Sequence, residues 1–151
     1  MASFLRVALP VAAAVFVVAQ PLQANRGVTP EDYFAFQFIN GATLSPDGKQ
    51  AAYVRTVINQ AKNRRDSSIW LVATDGRSSP RRLTADGFSS TAPRWSPDGS
   101  SLAFLSTRAE TAGAEPSGEA SRRQIWILTM NGGEAQVASH LKNGVEAFQW
   151  S

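Results

Sequence analysis

The sequence has no cysteine and a single histidine, His140. Without cysteine no disulfide can staple the fold in any compartment, and every thiolate metal site is excluded. One histidine is too few for a histidine-rich zinc site. As a general base it would need a nucleophile beside it and an acid to orient it, and no motif supplies them. No Gly-x-Ser-x-Gly elbow occurs anywhere in the chain. Charge is sparse: 18% of residues are charged and the net charge is +3. That excess is too small and too scattered for a nucleic-acid surface. The pairs Arg64-Arg65, Arg81-Arg82 and Arg122-Arg123 read as solvated loops or strand ends. Asp47-Gly48 and Asp98-Gly99 lack the alternating acids of a calcium loop and read as turns. These absences leave no catalytic, cofactor-binding or metal-binding residue to assign, and no nucleic-acid partner.

What the chain does have is repetition. Leu44-Ser45-Pro46-Asp47-Gly48 returns as Trp95-Ser96-Pro97-Asp98-Gly99, and Trp150-Ser151 opens the phrase a third time. The period of roughly 50 residues is that of an array, with a β-propeller blade as the natural unit. Each phrase precedes an alternating run, Gln50-Ala51-Ala52-Tyr53-Val54-Arg55 and Ser101-Leu102-Ala103-Phe104-Leu105-Ser106. A second apolar strand then centres on tryptophan: Ser68-Ile69-Trp70-Leu71-Val72 and Gln124-Ile125-Trp126-Ile127-Leu128. A turn pair follows each, Asp75-Gly76 and Asn131-Gly132, and then a short strand at 81–84 or 135–138.

Elementary conformational preferences explain the phrase. Proline presets φ near −65° at the second turn position, aspartate binds the backbone ahead of it, and glycine accepts a left-handed φ. Ser-Pro-Asp-Gly is therefore a strong chain reversal between strands. Asp75-Gly76 and Asn131-Gly132 suit tight hairpins. Each repeat reads as four short antiparallel strands. The fold class expected is all-β: an incomplete β-propeller with two four-stranded antiparallel blades, 44–94 and 95–149, and a third beginning at 150.

Ahead of the repeats, residues 1–24 carry the features of an export signal. Arg6 precedes an apolar run over Val7–Ala19, and small residues follow at cleavage positions ending at Ala19 or Ala24. The run is shorter than the ~20 residues a bilayer-spanning helix needs. A buried N-terminal helix or an uncleaved anchor is the other reading. Residues 25–43 form a lead-in. Thr29 can cap a short helix at 30–35, with Pro30 at its first position and Glu31 and Asp32 at its positive end. Tyr33, Phe34, Phe36, Phe38 and Ile39 are expected to pack on the first blade. Between the second and third strands the repeats differ, with a polar connection over Asn59–Ser67 in one and an insertion over Thr107–Arg123 in the other. The insertion holds Glu110, Glu115 and Glu119 and no large apolar residue, which predicts an exposed, mobile surface loop.

The stretches Pro93-Arg94-Trp95-Ser96-Pro97-Asp98-Gly99, Leu102-Ala103-Phe104 and Gln124-Ile125-Trp126 resemble the propeller repeats of two groups. One is the prolyl oligopeptidase family of serine peptidases, including dipeptidyl and acylaminoacyl peptidases. The other is the Tol-associated periplasmic propeller. The lead-in Thr29-Pro30-Glu31-Asp32-Tyr33 looks more like the N-terminus of the peptidases. The resemblance covers residues 28–151 and implies an exported peptidase, periplasmic or secreted, that hydrolyses short peptides. In that family a C-terminal α/β-hydrolase domain carries the Ser-Asp-His triad, and the propeller limits access to it. None of the triad motifs occurs here, so the chain is expected to be an N-terminal segment, and one that aggregates or stays partly unfolded by itself. It would have no membrane attachment after signal cleavage. The alternative is a non-catalytic periplasmic propeller that binds a protein partner.

Overall fold

The computed structural model describes residues 27–85, 87–108 and 122–151. The expected signal peptide, and residues 109–121 of the expected loop, lie outside them. The described chain forms two four-stranded antiparallel sheets, each with its strands in sequence order. The first contains β1 (Gln37–Leu44), β2 (Gln50–Asn59), β3 (Arg64–Ala73) and β4 (Arg81–Arg82). The second contains β5 (Ser90–Trp95), β6 (Ser101–Ser106), β7 (Gln124–Thr129) and β8 (Gln136–Val137). Each Ser-Pro-Asp-Gly joins the first strand of a sheet to the second. The sheets therefore begin at Gln37 and Ser90, one strand ahead of repeats counted from 44 and 95.

The two turns are built alike. The Gly48 N–H donates to the Ser45 carbonyl and the Gly99 N–H to the Ser96 carbonyl, both at 2.9 Å. Both glycines sit near φ +70°, where a β-carbon is disfavoured. The Ser45 hydroxyl donates to Asp47 at 2.6 Å and accepts the Gln50 N–H at 3.0 Å. Ser96 repeats this with Asp98 at 2.5 Å and Ser101 at 3.0 Å. The carboxylates also accept the N–H groups of Lys49 and Ser100, each at 3.0 Å. The serine thus links the two strands while the aspartate closes the loop ahead of it. Asp75-Gly76 and Asn131-Gly132 lie in the reversals expected between the third and fourth strands, but not in tight hairpins. Each lies in a longer connection, over 74–80 and 130–135, that leads to a last strand only two residues long.

A second correction concerns 59–67. The connection expected there is largely strand: β2 and β3 stay paired out to Asn59 opposite Arg64, so only residues 60–63 turn. Polar cross-strand pairs do what apolar ones do elsewhere. Across the ladder the Thr56 and Ser67 hydroxyls are 2.8 Å apart and the Asn59 amide donates to Asp66 at 2.8 Å, while within β3 Arg64 pairs with Asp66 at 2.7 Å. Polarity on one face does not end a strand when each polar group faces a partner across the ladder.

The core lies between the sheets. Ala52, Ile69 and Leu71 from one face of the first sheet pack on Trp95, Leu102, Phe104 and Trp126 from one face of the second, all of them buried. Burying each large side chain stabilises the fold by about 1.5–3 kcal/mol. The lead-in carries the short helix expected at 30–35, but its apolar residues stay exposed. It is a short 3-10 helix over Pro30–Ala35, and its ladder is i to i+3, with the Asp32 N–H on the Thr29 carbonyl and the Phe36 N–H on the Tyr33 carbonyl. The Asp32 carboxylate reaches back to the Thr29 N–H at 2.7 Å. The aromatics around it do not join the core: Tyr33 is 44% exposed and Phe36 47%, and Ile39 on β1 is 68% exposed. Pro30 and six residues of length leave too few turns for an apolar stripe to aim at the sheet.

Candidate functional site

Two clefts flank the Ser-Pro-Asp-Gly turns. One, of about 540 Å³, is lined by Leu44, Arg94, Trp95, Pro97, Phe148 and Trp150. The other, of about 410 Å³, lies between the two turns and is lined by Asp47, Gln50, Arg81, Asp98 and Met130 among others. Neither brings a nucleophile, a base and an orienting acid together. The Ser45 and Ser96 hydroxyls face carboxylates, yet each hydroxyl is committed to its own turn. The hydrogen bond from Ser96, with those from the Ser100 N–H and hydroxyl, holds the Asp98 carboxyl down at about 2. Asp47 is lowered for the same reason, by the Ser45 hydroxyl and the Lys49 N–H. A carboxylate stabilised this way is a poor proton acceptor near neutrality. Among the described residues, no group of three His, Cys, Asp or Glu side chains could hold a metal ion. His140 falls in irregular chain after β8.

The arginine pairs expected to be solvated are exposed except at the half-buried Arg82, and members of two pairs tie segments together. Arg64 donates to the Gly87 carbonyl at 2.9 Å, and Arg122 to the Lys142 carbonyl at 2.7 Å. Arg65 reaches the Tyr33 hydroxyl at 3.3 Å and lies over the Phe38 ring at 5.5 Å. It thereby anchors the lead-in to β3.

The site that the chain does build is a repeated sheet-to-sheet junction. The Trp95 indole N–H donates to the Thr43 carbonyl at 3.3 Å, and the Trp150 indole to the Arg94 carbonyl at 3.1 Å. Behind β3 and β7 the same equivalence holds. The Ile69 N–H donates to the Thr84 hydroxyl at 3.0 Å, and the Ile125 N–H to the Ser139 hydroxyl at 2.9 Å. Each tryptophan after a sheet therefore pins the following unit to the sheet before it. The phrase itself was visible in the sequence. These carbonyl partners were not, because a backbone acceptor leaves no residue-type signal.

No family model matches the chain. Among curated proteins, it is 37% identical over 125 residues to the uncharacterized peptidase YuxL of Bacillus subtilis, covering 82% of this chain and 17% of that one. It is 33% identical over 102 residues to dipeptidyl-peptidase 5 of Porphyromonas endodontalis, covering 65% of this chain and 14% of the relative. The chain thus spans about a sixth of the length of these relatives. Among solved structures, the acylaminoacyl peptidase of Pyrococcus horikoshii superposes with a TM-score of 0.58 at 23% identity, over 78% of this chain and 16% of that one. The AtxE2 isopeptidase in its apo form gives 0.60 at 22% identity, over 82% and 22%. At those identities the structures speak for the fold alone, and the curated relatives for descent. The chain is homologous to a segment of YuxL and of dipeptidyl-peptidase 5, both peptidases.

Proposed function

We propose that this chain supplies the first two blades of a β-propeller in an exported serine peptidase of the prolyl oligopeptidase type. The blades contribute no reacting group. They form part of a wall that admits short peptides to an α/β-hydrolase domain encoded outside these residues, where a Ser-Asp-His triad cleaves them. The supporting observation is the repeated junction: Trp95 and Trp150 make the same bond one unit apart, in a chain whose relatives are peptidases. Export rests on the apolar run over Val7–Ala19 behind Arg6, with the periplasm or the outside as destination.

The test is the coding sequence that follows codon 151 in the source genome, and the product expressed from it. The expected result is further repeats, then a Gly-x-Ser-x-Gly elbow followed by Asp and His, and a product labelled by a fluorophosphonate at the elbow serine. Further repeats that end without an elbow, in a product that resists labelling, would overturn the peptidase reading and favour a propeller that binds a protein partner.

A further inference from the structure

Glycine follows asparagine three times in the chain, at Asn40-Gly41, Asn131-Gly132 and Asn143-Gly144. Glycine has no side chain to shield its amide nitrogen. Each pair is therefore open to attack of that nitrogen on the asparagine side-chain carbonyl. The local sequence treats the three alike, and the fold does not.

Asn143-Gly144 is held on both sides. The Gly144 N–H donates to the Leu141 carbonyl at 2.9 Å, and the Asn143 amide oxygen accepts from Arg122 at 2.9 Å. The next residue, Val145, is buried and donates its N–H to the Arg123 carbonyl at 2.7 Å. Asn40 lies in β1 opposite Val54. Attack there needs the backbone to leave the extended conformation, and the ladder opposes that rotation. Asn131 is exposed in the connection between β7 and β8. Its side-chain amide has no hydrogen-bond partner among the described residues. The Gly132 N–H reaches the Thr129 carbonyl only at 3.3 Å, beyond the usual range for such a bond. Chain neighbours aside, no atom lies within 4 Å of where a β-carbon would stand on Gly132 or Gly133. The turn therefore has room to rotate. A sheet packed behind the second would not cover it. The counterpart turn of the first sheet, Asp75-Gly76, stays exposed with the second sheet in place.

We propose that Asn131 is a site of spontaneous deamidation in the folded chain, through a cyclic imide formed with Gly132. The Gly132 nitrogen bonds to the Asn131 side-chain carbonyl carbon. The side-chain nitrogen leaves as ammonia, taking the proton of the Gly132 N–H. Water then adds to one of the two imide carbonyls, that C–N bond breaks, and the nitrogen regains a proton. Opening at the side-chain carbonyl gives aspartate, and opening at the main-chain carbonyl gives isoaspartate. The sum is amide plus water to acid plus ammonia. The new carboxylate joins Asp47, Asp98 and Arg81 at the cleft between the turns, which Asn131 also lines. Conversion thus changes the charge of that cleft in one direction only. The inference does not rest on the peptidase reading.

The test incubates the full chain at neutral pH with and without urea. Trypsin places the three pairs on separate peptides, 27–49, 124–142 and one beginning at Asn143. Mass spectrometry follows the amide-to-acid mass gain in each. These cleavages serve equally in any longer product that contains the chain. In the folded chain Asn131 is expected to convert about tenfold or more faster than Asn40 and Asn143, whose hydrogen bonds must open first. In urea the three rates should converge. Arg122→Ala should release Asn143 and raise its rate towards that of Asn131, the internal reference. The product at 131 should be a mixture of aspartate and isoaspartate. A folded chain in which Asn40 or Asn143 keeps pace with Asn131 would overturn the proposal. So would an Asn131 that stays intact while the urea sample converts, or a product that is aspartate alone.

Discussion

Trp95 and Trp150 make the same hydrogen bond one repeat apart, each indole N–H donating to a backbone carbonyl in the first strand of the preceding sheet. They differ in burial: Trp95 is 9% exposed and part of the core, whereas Trp150 lies at the rim. Trp95→Phe removes the donor and leaves the Thr43 carbonyl partly covered, so stability should fall by about 1–2 kcal/mol. Trp150→Phe should change it by less than about 0.5 kcal/mol. Urea unfolding of the two variants, followed by circular dichroism, checks the ordering.

Both first strands carry a bulge at the same place. The register shifts between Asn40 and Thr43 in β1, and between Thr91 and Arg94 in β5. The first bulge uses Gly41 at φ +59°, but the second holds Ala92 at φ +52°. A left-handed alanine is strained by about 1 kcal/mol. Ala92→Gly should therefore stabilise the chain by up to that amount, although glycine in a strand ordinarily destabilises. Gly41→Ala should cost about 1 kcal/mol. A shift of the two denaturation midpoints in the same direction would count against this account.

The turn carboxylates make stability depend on acid. Asp98 is held at about 2 in the folded chain, below its ordinary value, by the Ser96 hydroxyl first and the Ser100 N–H and hydroxyl next. The unfolded state thus binds the proton more readily. Asp98 contributes its stabilisation in full above about pH 4, and loses it as the pH falls towards about 2. Asp47 acts in the same sense. Ser96→Ala should raise the Asp98 titration midpoint and flatten the acid limb of the stability profile. Carboxyl chemical shifts measured against pH would show both effects.

How much of this was legible in the sequence follows from which groups carry each feature. The all-β class and the two equivalent sheets come from side-chain patterns: proline and glycine at fixed turn positions, and alternation around Trp70 and Trp126. The strand-long hairpin over 56–67 was hidden because Thr56, Asn59, Asp66 and Ser67 look like loop until their cross-strand pairing is seen. The lead-in was misjudged for the opposite reason. Five large apolar residues look like core, yet Tyr33, Phe34 and Phe36 sit on or just after a short 3-10 helix and Phe38 and Ile39 on the first strand of the sheet, and all five stay exposed. The junction bonds to Thr43 and Arg94 use carbonyl oxygens, which every residue has.

That contrast sets up a stability comparison. Phe104 is 1% exposed between the sheets and Phe36 is 47% exposed on the lead-in. Phe104→Ala should cost about 3–5 kcal/mol, a large part of what a domain this size possesses. Phe36→Ser should stay within about 0.5 kcal/mol. Equal losses for the two, read from thermal unfolding, would mean that the lead-in packs against something the sheets do not supply.

The last expectation concerns chemistry. Ser45 and Ser96 each lie within hydrogen-bond reach of an aspartate, a spacing that invites assignment as nucleophiles. Their hydroxyls already donate to Asp47 or Asp98 and accept a backbone N–H from the next strand. A nucleophilic serine needs a base able to take its proton near neutral pH, and a carboxyl held at about 2 cannot do that efficiently. The purified chain should therefore hydrolyse neither peptide nor ester substrates, and a fluorophosphonate should leave both serines unmodified. Mass spectrometry of the treated protein decides it: an adduct on Ser45 or Ser96 would show that the turn hydroxyls are more reactive than their hydrogen bonds allow.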